Sequence, residues 1–382
     1  MEGTRTMDLM ESRQRIDAID KQLVELFQER MGVSVEVAKY KQKTGKKIYD
    51  KQREEQILEK LGNMANDEFN KQSVQELYTQ IMSISRKLQY ALLNRDELKH
   101  NLTPVKQLDM NNKKVVFYGE RGAYTEQAMI EFFGENVESY AVKTFKDVME
   151  ELRDGKADYG VLPIENSSTG GITDCFDLLI DYDNYIVGEH ELKVDQCLLG
   201  LPGAKIENLK KVFSHEQGLL QCQTFLEQYP DMEQIPYMST AISAKMVAKE
   251  QNPEFAAIAS KRAAKCYGLS VLKENINYET TNATRFIIIA REPVYLEDSN
   301  KVSICFQLPH ECGSLYNMIS HFIFNNLNMT KIESRPIEGK KWEYRFFVEV
   351  EGNLQQPGVQ NAIYGIQEEA RSYRILGNFK TV

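Results

Sequence analysis

Two sets of polar residues in this chain stand where chemistry is possible. The first set lies in the first hundred residues. Arg30 is i+4 from Leu26, i+3 from Phe27 and i−3 from Val33, so on a helix it points with an apolar stripe. Lys41 is i+4 from Val37 and lies three turns from Arg30, on nearly the same side. Ser85 is i+4 from Ile81, and Gln89 is i+4 from Ser85 and i−3 from Leu92. Burying an unpaired cation costs roughly several kcal/mol. Two readings follow: the cations pair with acids or snorkel to the surface, or they line a pocket for a ligand with several negative charges. The second set lies in three loops. These are Pro163-Ile164-Glu165-Asn166-Ser167-Ser168-Thr169-Gly170-Gly171, then Ser214-His215-Glu216-Gln217 with Gln221 and Cys222 beyond, then Asn282-Ala283-Thr284-Arg285-Phe286. Backbone N–H groups and hydroxyls of the first loop suit a carboxylate, although such a loop also serves as a plain helix cap. His215 reads as an acid or as a satisfied loop residue, and Cys222 as a structural thiol.

The elements that must position these residues fall into three segments. The first hundred residues read as helices. One runs from about Asp8 to Lys43 with the stripe Ile16, Ile19, Leu23, Leu26, Phe27, Val33, Val37. Asp50 is placed to cap a second helix, and a third carries Val74, Leu77, Tyr78, Ile81, Leu88 and Leu92. A single chain can hardly bury so long a first helix, so an intertwined dimer is expected. From 113 to 291, strand-like runs (Lys113 to Tyr118, Tyr159 to Ile164, Tyr185 to Glu191, Lys211 to Ser214, Phe255 to Ala259, Arg285 to Ala290) alternate with helical patterns, which predicts an α/β unit with its site at the strand ends. The last eighty residues read strand–helix–strand–strand–helix–strand, a ferredoxin-like order. Polar joints at 96–112 and 292–301 separate the three.

Length and composition set limits. At 382 residues the chain holds two or three domains. With 42% hydrophobic and 27% charged residues it is neither disordered nor repetitive. A net charge of −9 argues against nucleic acid or an anionic membrane as the main partner. No transmembrane span or signal peptide is expected. The six cysteines are scattered and read as reduced thiols of a cytoplasmic protein, and no Cys/His cluster suggests a metal. No Walker or three-glycine nucleotide motif is present, so no cofactor is expected.

The run Arg13, Arg30, Lys41, Asp50, Arg53, Glu54, Ser85 and Gln89 resembles the all-helical chorismate mutases. That reaction is a pericyclic rearrangement of a dicarboxylate, with charge gathering on the breaking ether oxygen. It needs carboxylate clamps and donors at that oxygen, and no acid, base or nucleophile. The resemblance implies Arg30 and Arg13 on the carboxylates, with Arg13 reaching in from a partner subunit. It implies Lys41 and Gln89 on the ether oxygen, Glu54 with Asp50 on the ring hydroxyl, and Arg53 and Ser85 in the wall.

The Ile-Glu-Asn loop together with Asn-x-Thr-Arg-Phe resembles prephenate dehydratase. This implies two α/β subdomains hinged like a periplasmic binding protein. Thr284 would assist the leaving ring hydroxyl, and Glu165, Asn166, Ser168, Thr169, Gln221 and Arg285 would bind prephenate. Gly313-Ser314-Leu315 at a helix start and Thr330 to Pro336 resemble the phenylalanine-binding ACT domain, which implies an effector site at Gly313, Ser314, Leu315, Glu333, Ser334 and Arg335 where two such domains meet. The domain order, 1–95 mutase, 96–112 linker, 113–291 dehydratase and 300–382 regulatory domain, is similar to the bifunctional chorismate mutase–prephenate dehydratase family. It implies phenylalanine biosynthesis with feedback by phenylalanine, in a homodimer or higher homo-oligomer. Two alternatives stay open: a non-catalytic amino-acid sensor, and a dehydratase acting on arogenate.

Overall fold

The computed structural model describes residues 9–92, 100–279 and 281–381. The N-terminal segment is a helical bundle of α1 (Leu9–Thr44), α2 (Lys51–Gly62) and α3 (Glu68–Leu92). Gly45, at φ +67°, turns the chain out of α1. The Asp50 side chain caps α2 by accepting from the Arg53 N–H at 3.0 Å. α3 packs on α1 and α2. The 36-residue α1 would extend about 54 Å. Its apolar stripe lacks cover within the chain: Ile19, Leu23 and Leu26 are 53%, 54% and 62% exposed.

The middle segment has two sheets. β1 (Thr103–Val105), β2 (Lys114–Tyr118), α4 (Tyr124–Phe133), β3 (Glu138–Val142), α5 (Phe145–Arg153), β4 (Tyr159–Asn166), β5 (Gly170–Gly171), α6 (Thr173–Asp181) and β6 (Tyr185–Lys193) come first. The chain then crosses to β7 (Cys197–Gly200), β8 (Lys211–Ser214), α7 (Glu216–Gln221), α8 (Gln223–Leu226), β9 (Glu233–Pro236), α9 (Thr240–Glu250), β10 (Phe255–Ala259), α10 (Lys261–Tyr267) and β11 (Ser270–Lys273). It returns into β12 (Ala283–Ala290), seated between β6 and β4. The second sheet has the order β11-β7-β10-β8-β9. Small residues of α9 and α10 (Ala244, Ala263, Ala264) pack on one of its faces, and Leu219, Cys222 and Leu226 of the α7–α8 region on the other. The two crossing segments are tied together, with Val194 N–H donating to Asn282 O at 2.8 Å.

The C-terminal segment is β13 (Val294–Leu296), β14 (Lys301–Gln307), α11 (Ser314–Phe324), β15 (Met329–Pro336), β16 (Tyr344–Glu351), α12 (Pro357–Glu369) and β17 (Ser372–Phe379). Its four main strands form an antiparallel sheet in the order β15-β16-β14-β17. β17 continues this sheet into the first sheet of the middle segment by pairing with β6 at Gly377 and Ile186. A Cβ at 377 would lie 2.1 Å from the Ile186 carbonyl oxygen, so the junction requires glycine. α3 of the bundle also packs on α11 and α12.

Three expectations change. The polar joints are not separate tethers: β1 and β13 pair in parallel, and Leu102 and Tyr295 are buried in the C-terminal core. Pro163 to Asn166 belong to β4, so the polar loop shrinks to 167–169. β3, β7, β9 and β11 pass unnoticed in the sequence. They span four or five residues, and β3, β9 and β11 are edge strands without clean alternation. Among the described residues no helix is long and apolar enough to cross a membrane.

Candidate active sites

An open cavity of about 310 Å³ lies between α1, α2 and α3 of the bundle. Arg30, Lys41, Asp50, Arg53, Glu54, Ser85 and Gln89 all line it, together with Arg86. A hydrogen-bonded ladder fixes its floor. Gln89 Nε2 donates to Ser85 Oγ at 3.2 Å, Ser85 Oγ to Ser34 Oγ at 2.8 Å, and Ser34 Oγ to the Arg30 carbonyl at 3.0 Å. Lys41 Nζ donates to the Ile48 carbonyl at 2.7 Å, which aims the ammonium across the α1–α2 turn. Burial lowers the Lys41 pKa against the opposing pull of Asp50 and Glu54. Arg30 Nη1 and Gln89 Oε1 are buried without a partner. A buried guanidinium nitrogen with nothing to bind is costly, and an anionic ligand would satisfy it.

Arg13 is not brought to this cavity. It lies exposed on the N-terminal part of α1 and is not among the residues that line the cavity. Arg86 is the residue that the sequence reading overlooks. It is 5% exposed and donates through Nη1 to Glu54 at 2.6 Å. Its position i+4 from Met82 and i−4 from Tyr90 marks a second buried face of α3, which a search along one stripe misses.

In the middle segment, register brings Asn166 of β4 opposite Thr284 of β12, and Glu165 opposite Arg285. Asn166 Oδ1 accepts from the backbone N–H groups of Ser168 and Thr169 at 3.0 and 3.2 Å. Its amide is thereby oriented so that Nδ2 donates to Thr284 Oγ1 at 2.9 Å and to Asn282 Oδ1 at 2.8 Å. The Thr284 hydroxyl accepts from Asn166, which leaves its own hydrogen to donate outward. Ser168 Oγ donates to Glu279 at 2.6 Å. Thr284 therefore sits where the chain re-enters the first sheet, at the junction of the two subdomains. Gln221 reaches the same junction from the second subdomain: its Oε1 accepts from Gln196 Nε2 at 3.3 Å, and Gln196 N–H donates to Asn277 Oδ1 at 3.0 Å. Asn282 Nδ2 is buried without a partner.

Glu165 and Arg285 do not join them. Successive strand residues point to opposite faces, so both leave Thr284 behind and enter a buried ionic cluster against the C-terminal sheet. Arg285 reaches Glu165 at 2.7 Å, Glu189 at 2.6 Å and Glu349 at 2.8 Å, while Lys331 reaches Glu165 at 2.9 Å and Lys301 reaches Glu189 at 3.0 Å. Burial pushes the Glu165 carboxyl up, but Lys331 and Arg285 more than offset it and hold it below its ordinary value. His215 caps α7, its Nδ1 accepting from Gln217 N–H at 3.3 Å. Burial lifts the Cys222 thiol to about 12, which suits an inert core residue.

The six expected effector residues are not gathered within one chain. Gly313 starts α11 at φ +78°, Leu315 packs on the C-terminal core, and Ser314 borders a hollow of about 340 Å³ with Trp342 and Tyr344. On β15, Glu333 and Arg335 face the middle segment, where Arg335 Nε donates to Asp177 at 3.2 Å; the intervening Ser334 is exposed. Among the described residues no group of His, Cys, Asp and Glu is arranged to hold a metal ion.

Comparison with known proteins covers nearly the whole chain. A chorismate mutase type II family model matches residues 12–90, and a prephenate dehydratase model matches residues 115–294. A bifunctional chorismate mutase/prephenate dehydratase of Enterobacter agglomerans is 33% identical over 378 residues, covering 97% of this chain and 95% of that protein. Among solved structures, a prephenate dehydratase of Arthrobacter aurescens in complex with L-Phe is 28% identical with a TM-score of 0.66, covering 70% of this chain and 90% of that one. GqqA, described as a quorum-quenching acylase, has the same identity and TM-score and covers 71% of this chain and 98% of its own.

Proposed function

The chain belongs to the family of bifunctional chorismate mutase/prephenate dehydratases, and from that premise we propose how its two sites divide the work. The bundle rearranges chorismate to prephenate, and the middle segment decarboxylates and dehydrates prephenate to phenylpyruvate. The observation that carries this reading is the cation-lined cavity with a buried, unpartnered Arg30 nitrogen.

In the bundle, Arg30 binds a substrate carboxylate through its free nitrogen. Lys41 and Gln89 donate to the ether oxygen as its bond breaks, and Glu54 with Asp50 accepts from the ring hydroxyl. Arg53 and Ser85 complete the wall. Arg13 of a second copy closes the open side, since the uncovered stripe of α1 supports an intertwined homodimer. The catalytic term is orientation plus preorganised charge.

In the middle segment, Asn166, Ser168, Thr169 and Gln221 hold prephenate at the junction of the subdomains. Loss of carbon dioxide sends an electron pair into the ring, and the ring hydroxyl leaves as hydroxide, which takes a proton from solvent to become water. Asn166 donates to Thr284, so Thr284 directs its hydroxyl hydrogen at the leaving group. A threonine hydroxyl is a weak acid, so it polarises this group rather than surrendering a proton outright.

The domains run 1–95, 113–291 and 300–382. The last has the strand order of a ferredoxin-like ACT domain, and phenylalanine binds where two such domains meet, with Gly313, Ser314 and Leu315 from one side and the Glu333–Arg335 strand near the other. The unpaired state of all six cysteines supports a cytoplasmic setting.

The test supplies chorismate to purified protein and follows prephenate and phenylpyruvate separately, with and without phenylalanine. Both products, the second suppressed by phenylalanine, are expected. Prephenate alone would overturn the middle assignment, and neither product from folded protein would favour an amino-acid sensor.

A further inference from the structure

α3 turns a second polar face away from the cavity floor, toward the C-terminal segment. Arg86 stands at the boundary. One side of its guanidinium donates to both oxygens of Glu54 at 2.6 Å. The other donates from Nε to Glu369 Oε1 at 2.9 Å. The plane of the guanidinium lies over the Tyr49 ring, 5.0 Å from its centroid. The side chains of Arg86 and Glu369 are each 7% exposed.

Glu369 is the last residue of α12 and is itself fixed. Tyr90 OH donates to it at 3.3 Å, and His321 Nε2 lies 3.3 Å away. Burial pushes its carboxyl up, but His321 and Arg86 bring it down to about 2, so it stays charged. Nearby, Lys87 Nζ donates to Ser320 Oγ of α11 at 2.7 Å. Glu54 has carboxylate lone pairs left over after meeting Arg86 and lines the cavity. A guanidinium clamped between two carboxylates has its plane set by both, so removing one loosens the other.

We propose that Arg86 is a positioning residue of the chorismate site: it fixes Glu54 at the cavity wall and is itself fixed by Glu369, so the final helix of the C-terminal segment helps to shape the mutase site. This rests on the reading of the bundle as the mutase. A plain interdomain tie is the competing role, and it predicts lost stability without changed mutase kinetics.

A double-mutant cycle on the full-length protein separates the two roles. Mutase kcat and KM are measured for Glu369→Gln, Glu54→Gln and the pair, with phenylpyruvate formation from added prephenate read on the same preparations. Glu369→Gln is expected to lower mutase kcat/KM about 10- to 100-fold, the scale of a contact displaced by about 1 Å, while dehydratase turnover stays at the parental rate. In the Glu54→Gln background the same change should cost little more, because both act through one carboxylate. Parental mutase kinetics in Glu369→Gln, or losses that simply multiply, would overturn the proposal. If Glu369→Gln does not fold, seen as loss of dehydratase activity as well, Arg86→Lys carries the test: it keeps the charge but loses the fork, and parental kinetics there would overturn the proposal equally. Absence of both prephenate and phenylpyruvate when the parent chain is given chorismate would instead fail the mutase reading itself.

Discussion

The bundle cavity and the dehydratase junction handle charge in opposite ways. In the bundle, Arg30 and Lys41 border the cavity directly, and Arg30 Nη1 and Gln89 Oε1 are buried with nothing to bind. At the junction, Thr284 is bonded to the neutral Asn166 amide, which also holds Asn282 Oδ1 and the Ser168 backbone N–H. The ions next to Asn166 and Thr284 in sequence, Glu165 and Arg285, are turned to the far face and neutralised there. A pericyclic step has no proton to move, so its site can be a bare electrostatic mould, held open at the expense of an unsatisfied donor and an unsatisfied acceptor. A dehydration needs one hydroxyl pointed one way. Here the Asn166 amide, set by two backbone N–H groups, orients the Thr284 hydroxyl, the group proposed for that task.

Breaking the donor at the junction should have the largest effect. Thr284→Val keeps the shape of the side chain and removes its hydrogen. Phenylpyruvate formation is expected to fall about 10²- to 10⁴-fold, the usual scale for acid–base assistance to a leaving group, with prephenate still accumulating from chorismate. Phenylpyruvate at the parental rate would move the donor elsewhere. In the cavity, Lys41→Ala should lower mutase turnover about 10²- to 10³-fold and leave dehydratase turnover on added prephenate intact. A variant with near-normal mutase turnover would remove Lys41 from the role. Together the two variants should separate the activities cleanly, since the residues share no contact.

The cavity was largely legible because its cations violate the helical pattern. Arg30, Lys41, Ser85 and Gln89 are polar residues at apolar spacings, and they converge in the structure. Arg86 was not legible: its partner Glu369 lies 283 positions away, and nothing local announces an interdomain pairing. The junction was half legible. The loops holding Asn166 and Thr284 stood out, but grouping Thr284 with Arg285 overlooked the two-residue period of the strand that carries them. That signal was present in the sequence, since Phe286, Ile288 and Ala290 continue the Thr284 face, while Ile287 and Ile289 continue that of Arg285. The pairing of the two polar joints could not be foreseen, because β1 and β13 span three residues each and pair only with each other.

The smallest effect should come from the ionic cluster behind Thr284, and it is the one that sharpens the contrast most. If Arg285 and its neighbours are structural, neutralising one of their partners changes stability and not substrate binding. Glu349 is 2% exposed and 2.8 Å from Arg285, which keeps Glu165 and Glu189 when Glu349 is altered. Glu349→Gln should therefore cost about 1–3 kcal/mol of stability, the worth of one charge-assisted hydrogen bond, with KM for prephenate unchanged. The cluster also gives stability an acid limb. Glu165 is held below its ordinary value, so the unfolded chain takes up this proton first as pH falls through about 4. Its contribution is fully present above that point and is lost on further acidification. Melting temperatures of parent and variant across that range measure both effects. A raised KM with unchanged melting would mean that Arg285 reaches substrate after all, and that the junction uses charge much as the bundle does.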